Sequence, residues 1–383
     1  MRQEHLDILL MSDNALDTVG GEQESTKIII NGTKVKYKVG VISPGKVNKP
    51  HSEVKYFNLT THTRIKHLVK NPIAFISYIL NVKKIINTSN PKVIHTQAQV
   101  SFFIVALLLK IKLISRDISL IHTERGLFTK YNKIFKGIFY FFMKELNTLV
   151  TTTKFNMKYW QEALTRRGFL LNYTIIENTA GEIFETYNES LDKKSDKQIT
   201  IGFAGRYTNW KNWPLAVEIC EKVNAVIGDS LQVKMAVGCL DDRALDETKL
   251  MFSKLEKIFE TRFDGKINIT LEEINKFYYD IDIFILTSNY NTESFGRTLV
   301  EAMSRKTVVL TTDAGGPVEV VGNLDNVHNI ADAFVSHVVD LFKDKGKMAE
   351  EKEKNLRRVK EIYSLQNNLN KHLDMYKVII CTN

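Results

Sequence analysis

The chain has 383 residues, 44% of them hydrophobic and 25% charged, which suits a soluble globular protein with two domains of ordinary size and excludes a disordered or fibrous one. Its net charge of +9 leaves a polyanionic or membrane-surface partner to be weighed. The excess is scattered along the chain, so no basic arm for nucleic acid is expected and nucleic acid is not a partner.

From the N-terminus, HLDILLMS, YKVGVIS, PKVIHTQ, SLIHTERG, TLVTTT and YTIIEN each read as a buried strand. The first is read as a strand rather than a secretory signal, because Glu4 and Asp7 lie at its start. Helical stretches Gly21 to Asn31, Pro72 to Asn87 and Val100 to Leu113 lie between them. Such alternation predicts a parallel sheet with helices on both faces. The longest uncharged apolar run, Phe102 to Leu109, ends at Lys110, well short of the roughly 20 residues that span a bilayer. A cytoplasmic protein, or one peripheral on the inner face of a cell membrane, is therefore expected.

The polar run ESLDKKSDKQ, Glu189 to Gln198, reads as a linker. The alternation restarts with ITIGFAGRY, QVKMAVG, DGKINIT, DIDIFILTS and TVVLTTD, which gives two doubly wound α/β halves. Ligands bind such sheets at the carboxyl ends of strands. The loops to watch are Thr18 to Gly21, His122 to Gly126, Gly205 to Lys211, Thr287 to Gly296 and Asp313 to Gly316.

The densest signal is TSNYNTESFGRTLVEAMS. A buried strand ends before it, Gly296 makes a turn, and Leu299, Ala302 and Met303 share a face of the helix that follows. A helix start of this kind favours anions. Glu293 stands at its mouth, and Glu301 lies further along with seven residues between them. An anion that also carries hydroxyls, such as a nucleotide sugar, would use both features. Arg206 and Lys211 sit in another loop, at a helix start where cations are disfavoured unless an anion binds. Cys220, Cys239 and Cys381 lack metal-ligand spacing and read as reduced thiols, and Asp241-Asp242 reads as a solvated turn rather than a metal site.

These residues carry a resemblance. GFAGRYTNWKN, TSNYNTESFGRTLVEAM and TTDAGGPVEVV, with support from VGGEQES, HTERG and IIENTAGEIF, resemble the retaining glycosyltransferases of family 4, of the GT-B fold. The resemblance implies an α/β protein of two Rossmann-like doubly wound domains facing across a cleft. An acceptor-binding domain would cover residues 1–188 and regain a crossover helix from 364–383; a nucleotide-sugar-binding domain would cover 189–363. It further implies that Arg206 and Lys211 bind the donor diphosphate, and that Phe295, Gly296, Arg297, Thr298 and Leu299 bring backbone amides to the donor. Arg297 reads as an uncommitted extra cation. Glu301 would hold the ribose, Glu293 would face the reacting carbon, and Gly20 and Gly21 would approach the donor from the first half. His122 would lie near the reaction centre as a catalytic residue. No cofactor and no metal are expected, since cations and amide dipoles neutralise the leaving diphosphate.

The expected donor is a UDP-sugar, and the expected acceptor a glycan, specifically a lipid-linked intermediate of bacterial cell-surface polysaccharide or capsule. Front-face attack and double displacement both remain open. The segment from Thr129 to Leu146 interleaves lysines with aromatic residues and, with Arg64 to Lys70, reads either as an anionic-membrane surface or as an amphipathic core helix. A catalytically silent GT-B subunit and a GT-B sugar-nucleotide epimerase are the alternatives. Two departures from the family pattern stand out: IENTAGEIF lacks the usual Pro and Gly around its Asn, and Arg305-Lys306 replace a small residue and a glycine.

Overall fold

Strands buried on both faces read as near-continuous apolar runs, and this chain supplies such runs at Ile8–Met11 and Ile283–Leu286. The computed structural model describes residues 5–18, 20–193 and 198–382. Residue 19 of the first candidate loop and residues 194–197 of the expected linker lie outside the described residues.

The chain divides into two units, residues 1–178 with 366–383, and residues 179–365. The first holds a seven-stranded sheet: β1 (Ile8–Met11), β2 (Val39–Ser43), β3 (Val54–Asn58), β4 (Val93–Thr96), β5 (Ser119–Thr123), β6 (Thr148–Thr151) and β7 (Asn172–Ile175), in the order β3-β2-β1-β4-β5-β6-β7. All its pairings are parallel. Side chains alternate across the sheet. Leu9, Met11, Ile94, Leu120 and Leu149 face a core completed by Val82, Phe102, Phe139 and Trp160. Ile8, Leu10, Val93, Ile121 and Val150 face the other, completed by Ile29, Ile30, Met375 and Tyr376. The last two lie on the terminal helix Leu365–Thr382, which groups with this unit from residue 366 onward.

The second unit has β8 (Ile199–Arg206), β9 (Leu231–Gly238), β10 (Phe263–Ile267), β11 (Ile283–Leu286) and β12 (Val308–Thr311), in the parallel order β10-β9-β8-β11-β12. The same alternation holds: Ile283 and Ile285 enter one core, Phe284 and Leu286 the other. Both sheets reverse their strand order once, between β1 and β4 and between β8 and β11, which is the Rossmann-like arrangement.

The sequence places the first boundary at 188/189, whereas the units divide at 178/179. Residues 179–188 pack with the second unit. Ala180 and Phe184 join the core of Tyr278 and Leu299, and the Tyr279 hydroxyl accepts from the Asn188 amide at 2.8 Å. Arg305 is the anchor. Its guanidinium is buried and donates to the Ile183 carbonyl (2.7 Å), the Phe184 carbonyl (3.1 Å) and Asn275 Oδ1 (2.6 Å). The extra charge of Arg305 is thus a structural one. Beside it, Lys306 has φ +56°, the left-handed conformation for which glycine is suited.

Strand β3 is absent from the sequence reading because it is an edge. Only Val54 is buried, so no apolar run announces it. The basic aromatic segment contains helix Lys133–Met143, capped by the Asn132 side chain, which accepts from the Phe135 amide at 2.8 Å. Phe139 and Met143 enter the core, while Ile134, Ile138 and Phe141 are 78%, 41% and 52% exposed.

Candidate functional site

In the second unit, the loops after β8 and β11 leave the carboxyl edge of the sheet at its reversal point. Hydrogen bonds tie them together: the Asn289 amide donates to the Trp210 carbonyl at 2.8 Å, and Thr287 Oγ1 donates to the Lys211 carbonyl at 2.9 Å. This closure brings Lys211 Nζ to 2.8 Å from Glu293 Oε1. Ser288 Oγ donates to the same carboxylate oxygen at 3.1 Å.

Glu293 is also fixed through its backbone. Its amide donates to the Ala314 carbonyl, and its carbonyl accepts from the Gly316 amide, each at 3.0 Å. A Cβ on Gly316 would stand 2.1 Å from the Ser294 carbonyl oxygen, so only glycine lets the two segments run this close. The Ala-Gly-Gly sequence therefore positions the glutamate. Arg206 is exposed at the end of β8, with its carbonyl accepting from Trp213 Nε1 at 3.3 Å.

Phe295 is buried against Tyr363, and Gly296 takes φ +90° at the start of helix Arg297–Met303. This helix has seven residues and no side-chain cap. Its dipole is correspondingly small, so Arg206 and Lys211 outweigh it as sources of positive potential. Leu299 is a core side chain, and its amide is already bonded to the Gly296 carbonyl at 3.0 Å. It has no amide to spare for a ligand.

Arg297 is committed rather than free. It donates to the Ala180 carbonyl through Nη2 at 2.7 Å and pairs with Glu301 Oε1 at 3.2 Å. Glu301 Oε2 accepts from the Tyr278 hydroxyl at 2.9 Å; burial and the Glu301 charge hold that phenol well above its ordinary pKa. Thr298 Oγ1, Thr208 Oγ1 and Asn291 Oδ1 are enclosed with no hydrogen-bond partner among the described residues. Thr208 and Asn291, like Ser288, are missing from the sequence reading. Unremarkable polar residues in loops carry no signal until the loops are folded together.

In the first unit, Gly20 precedes helix Gly21–Thr33 in extended backbone, and a Cβ on Gly21 would meet nothing within 4 Å. Glu22 opens that helix and accepts from Ser12 Oγ at 2.6 Å and the Asp13 amide at 2.9 Å. The helix start is thus already supplied with a carboxylate.

His122 departs from its expected place. It lies within β5 with no exposed surface and stacks on Phe102 at a centroid distance of 4.5 Å. Nδ1 is 3.0 Å from Thr96 Oγ1 and Nε2 is 3.3 Å from Glu124 Oε2. Both ring nitrogens are occupied, so His122 is a core histidine and its ring offers no face to a substrate. Glu124 organises the loop instead, accepting from the Tyr131 hydroxyl at 2.9 Å and the Gly126 amide at 2.6 Å.

Among the described residues, no group of three or more His, Cys, Asp or Glu could hold a metal ion. Asp241 is a helix cap, its Oδ1 accepting from the Ala244 amide at 2.9 Å. Nor is any helix among them long and apolar enough to cross a membrane.

Residues 185–359 match the family model of glycosyl transferases group 1. A GDP-Man:Man(3)GlcNAc(2)-PP-Dol alpha-1,2-mannosyltransferase of Caenorhabditis elegans is 22% identical over 191 residues, 49% of this chain and 40% of that protein. The chain therefore spans about two-fifths of the length of the curated relative it matches. A glycosyltransferase from Rickettsia africae ESF-5 superposes with a TM-score of 0.74 and 19% identity, covering 98% of this chain and 99% of the other. Sucrose-phosphate synthase from Thermosynechococcus elongatus gives 0.77 and 14%, over 98% and 99% of the two chains. Anabaena HepE, solved in complex with UDP and glucose, gives 0.69 and 14%, over 97% and 100%. The fold is that of the GT-B glycosyltransferases.

Proposed function

We propose that the chain is a glycosyltransferase that takes a sugar from a nucleotide diphosphate sugar and passes it to a glycan acceptor with retention at the anomeric carbon. The observation that carries this reading is the meeting of Lys211 and Glu293 at the reversal point of the second sheet, 2.8 Å apart, with Arg206 on the same loop as the lysine. A cation pair beside a carboxylate suits a ligand with diphosphate at one end and hydroxyls at the other.

In the reaction, the anomeric carbon–oxygen bond breaks with its electron pair moving to the diphosphate. Arg206 and Lys211 receive the developing charge. Glu293 accepts hydrogen bonds from the sugar hydroxyls, and Glu301 those of the ribose. The acceptor oxygen bonds to the anomeric carbon and gives its proton to the departing diphosphate. Since His122 is enclosed, Glu293 and Lys211 carry the chemistry.

UDP is the nucleotide proposed for the donor, supported by the complexes of HepE with UDP and UDP-glucose. The name of the mannosyltransferase favours a second reading, GDP-mannose, and its PP-Dol acceptor supports a lipid-linked acceptor. Bacterial cell-surface polysaccharide is the proposed setting. A lipid-linked acceptor would bring the protein to a membrane, and the exposed Ile134, Ile138 and Phe141 of helix Lys133–Met143, beside exposed Lys133, would meet it.

A thermal-shift screen of UDP- and GDP-sugars tests the donor, because a ligand at 100 times its Kd adds about 2.7 kcal/mol of stability. Glu293→Gln should lose transfer by roughly two orders of magnitude or more while still binding the nucleotide. Turnover at the wild-type rate would refute the role of Glu293.

A further inference from the structure

Four charged groups of the second unit's site hold each other in two pairs, Lys211 with Glu293 and Arg297 with Glu301. Lys211 and Glu293 have side chains only 14% and 18% exposed, and both ends of the pair are fixed. Thr287 Oγ1 secures the Lys211 backbone, while Ser288 Oγ and the strand-like pairing of Glu293 with Gly315 secure the glutamate. This is not a loose surface contact that water dissolves at little cost. A ligand that takes one partner must leave the other provided for, since a largely enclosed charge without a partner is expensive.

Two ligands of the proposed reaction differ on this point. A free nucleoside diphosphate offers anionic oxygens to Lys211 but no donor to Glu293, and its charge lies close to that carboxylate. A nucleoside diphosphate sugar offers the same oxygens to Lys211 and hydroxyl donors to Glu293.

We infer that the Lys211–Glu293 pair discriminates the intact donor from the spent nucleotide. The intact donor exchanges the ion pair for two new interactions, whereas the spent nucleotide breaks it for one. Once the sugar has left with the acceptor, Glu293 loses its hydroxyl donors and reclaims Lys211. The pair then competes with the leaving diphosphate for the same ammonium and favours its release. This inference rests on the nucleotide-sugar reading of the site.

The test is calorimetric titration of UDP, UDP-glucose, GDP and GDP-mannose into wild-type protein and Glu293→Gln. The amide cannot form the ion pair, so Lys211 has no counter-charge at this position in the variant. The expected result is a nucleoside diphosphate affinity about tenfold tighter than in wild type, a change the size of one close charge–charge coupling. The affinity for the nucleotide sugar should rise less or fall, so the preference for donor over spent nucleotide narrows. Glu293→Ala removes the partner by another route and should tighten the diphosphate in the same direction, which protects the test if the first variant folds poorly. If wild type binds UDP or GDP and neither variant binds it more tightly, the discrimination is overturned while the site reading stands. If wild type binds none of the four, the nucleotide-sugar reading falls and takes this inference with it.

Discussion

A single added methyl group separates the roles of neighbouring residues at this site. In Gly316→Ala the Cβ would lie 2.1 Å from the Ser294 carbonyl oxygen and 2.7 Å from the Phe295 amide, both backbone atoms that cannot swing away. The segment carrying Glu293 must therefore move. We expect a loss of stability of about 1–3 kcal/mol and a larger loss of transfer, read as a lower Tm together with a reduced kcat. An unchanged kcat would mean that the position of Glu293 is not set from this side. His122 gives the complementary case. Its ring is enclosed, stacked on Phe102 and bonded to Thr96 and Glu124. His122→Ala should cost about 2–4 kcal/mol, as other large core truncations do. Donor affinity should stay at the wild-type value in protein that remains folded at the assay temperature. A Tm left in place alongside a collapse of kcat would restore the catalytic role that the resemblance implies.

At the scale of elements, the terminal helix Leu365–Thr382 is fixed in the first unit by buried polar groups as well as by apolar ones. His95 lies between the Tyr376 hydroxyl (2.6 Å from Nδ1) and Thr123 Oγ1 (2.7 Å from Nε2), and His372 Nδ1 is 2.9 Å from the Asn368 carbonyl. Burial, assisted by the nearby Arg125 charge, pushes His372 down to about 4 from an ordinary 6.5, and burial also holds His95 well below its usual range. Between pH 6.5 and 4 the unfolded chain binds a proton at position 372 that the folded chain refuses, so stability falls as the solution is acidified. For His372 alone that loss is on the order of 3 kcal/mol across the window. Asp13 acts in the opposite sense. Burial first and the Glu22 charge second raise its carboxyl to about 6, so the folded state takes up a proton there before the unfolded chain does. Comparing wild type with His372→Gln cancels this common contribution. The variant's Tm should fall less steeply between pH 7 and 4.5; parallel slopes would mean that His372 is not held neutral.

Eleven of the twelve strands among the described residues were legible in the sequence, because apolar runs announce them, whereas the terminal helix was expected only from the resemblance. Edge strand β3, half in solvent, is not so announced. The boundary at 178/179 was also hidden, because it depends on Arg305 reaching carbonyls more than 100 positions earlier in the chain. Arg305→Ala should release residues 179–188 and cost about 3 kcal/mol, with proteolysis in that segment as the readout. At the site, the glutamates, the two cations and the glycines were visible as a motif. Ser288, Thr208 and Asn291 were not, and Arg297 looked free because its partner, the Ala180 carbonyl, is a backbone atom.

For the whole molecule, a net charge of +9 spread over the chain gives weak, salt-screened attraction to any anionic surface, and so does not by itself specify one. Apolar residues left in water are a more specific signal. On helix Lys133–Met143, Ile134, Ile138 and Phe141 recur at spacings of four and three, which puts them on one face, and Phe139 and Met143 anchor the opposite face in the core. On helix Pro72–Ser89, Ile73, Ile76 and Leu80 repeat the arrangement, with Tyr78, Val82 and Ile86 buried behind them. The buried residues of both helices belong to the same core, so the two helices cover the same face of the seven-stranded sheet. A charge-only surface would release vesicles completely as salt rises, whereas an apolar stripe inserted at headgroup depth would retain part of the binding. We therefore expect sedimentation with vesicles containing anionic lipid, weakened but not abolished at 0.5 M salt. Ile134→Asp with Phe141→Asp should remove the salt-resistant part while leaving donor binding in the second unit at its wild-type affinity. Equal sedimentation of wild type and double variant would show that these stripes do not meet lipid, and the membrane part of the proposed function would be withdrawn with the transferase chemistry intact.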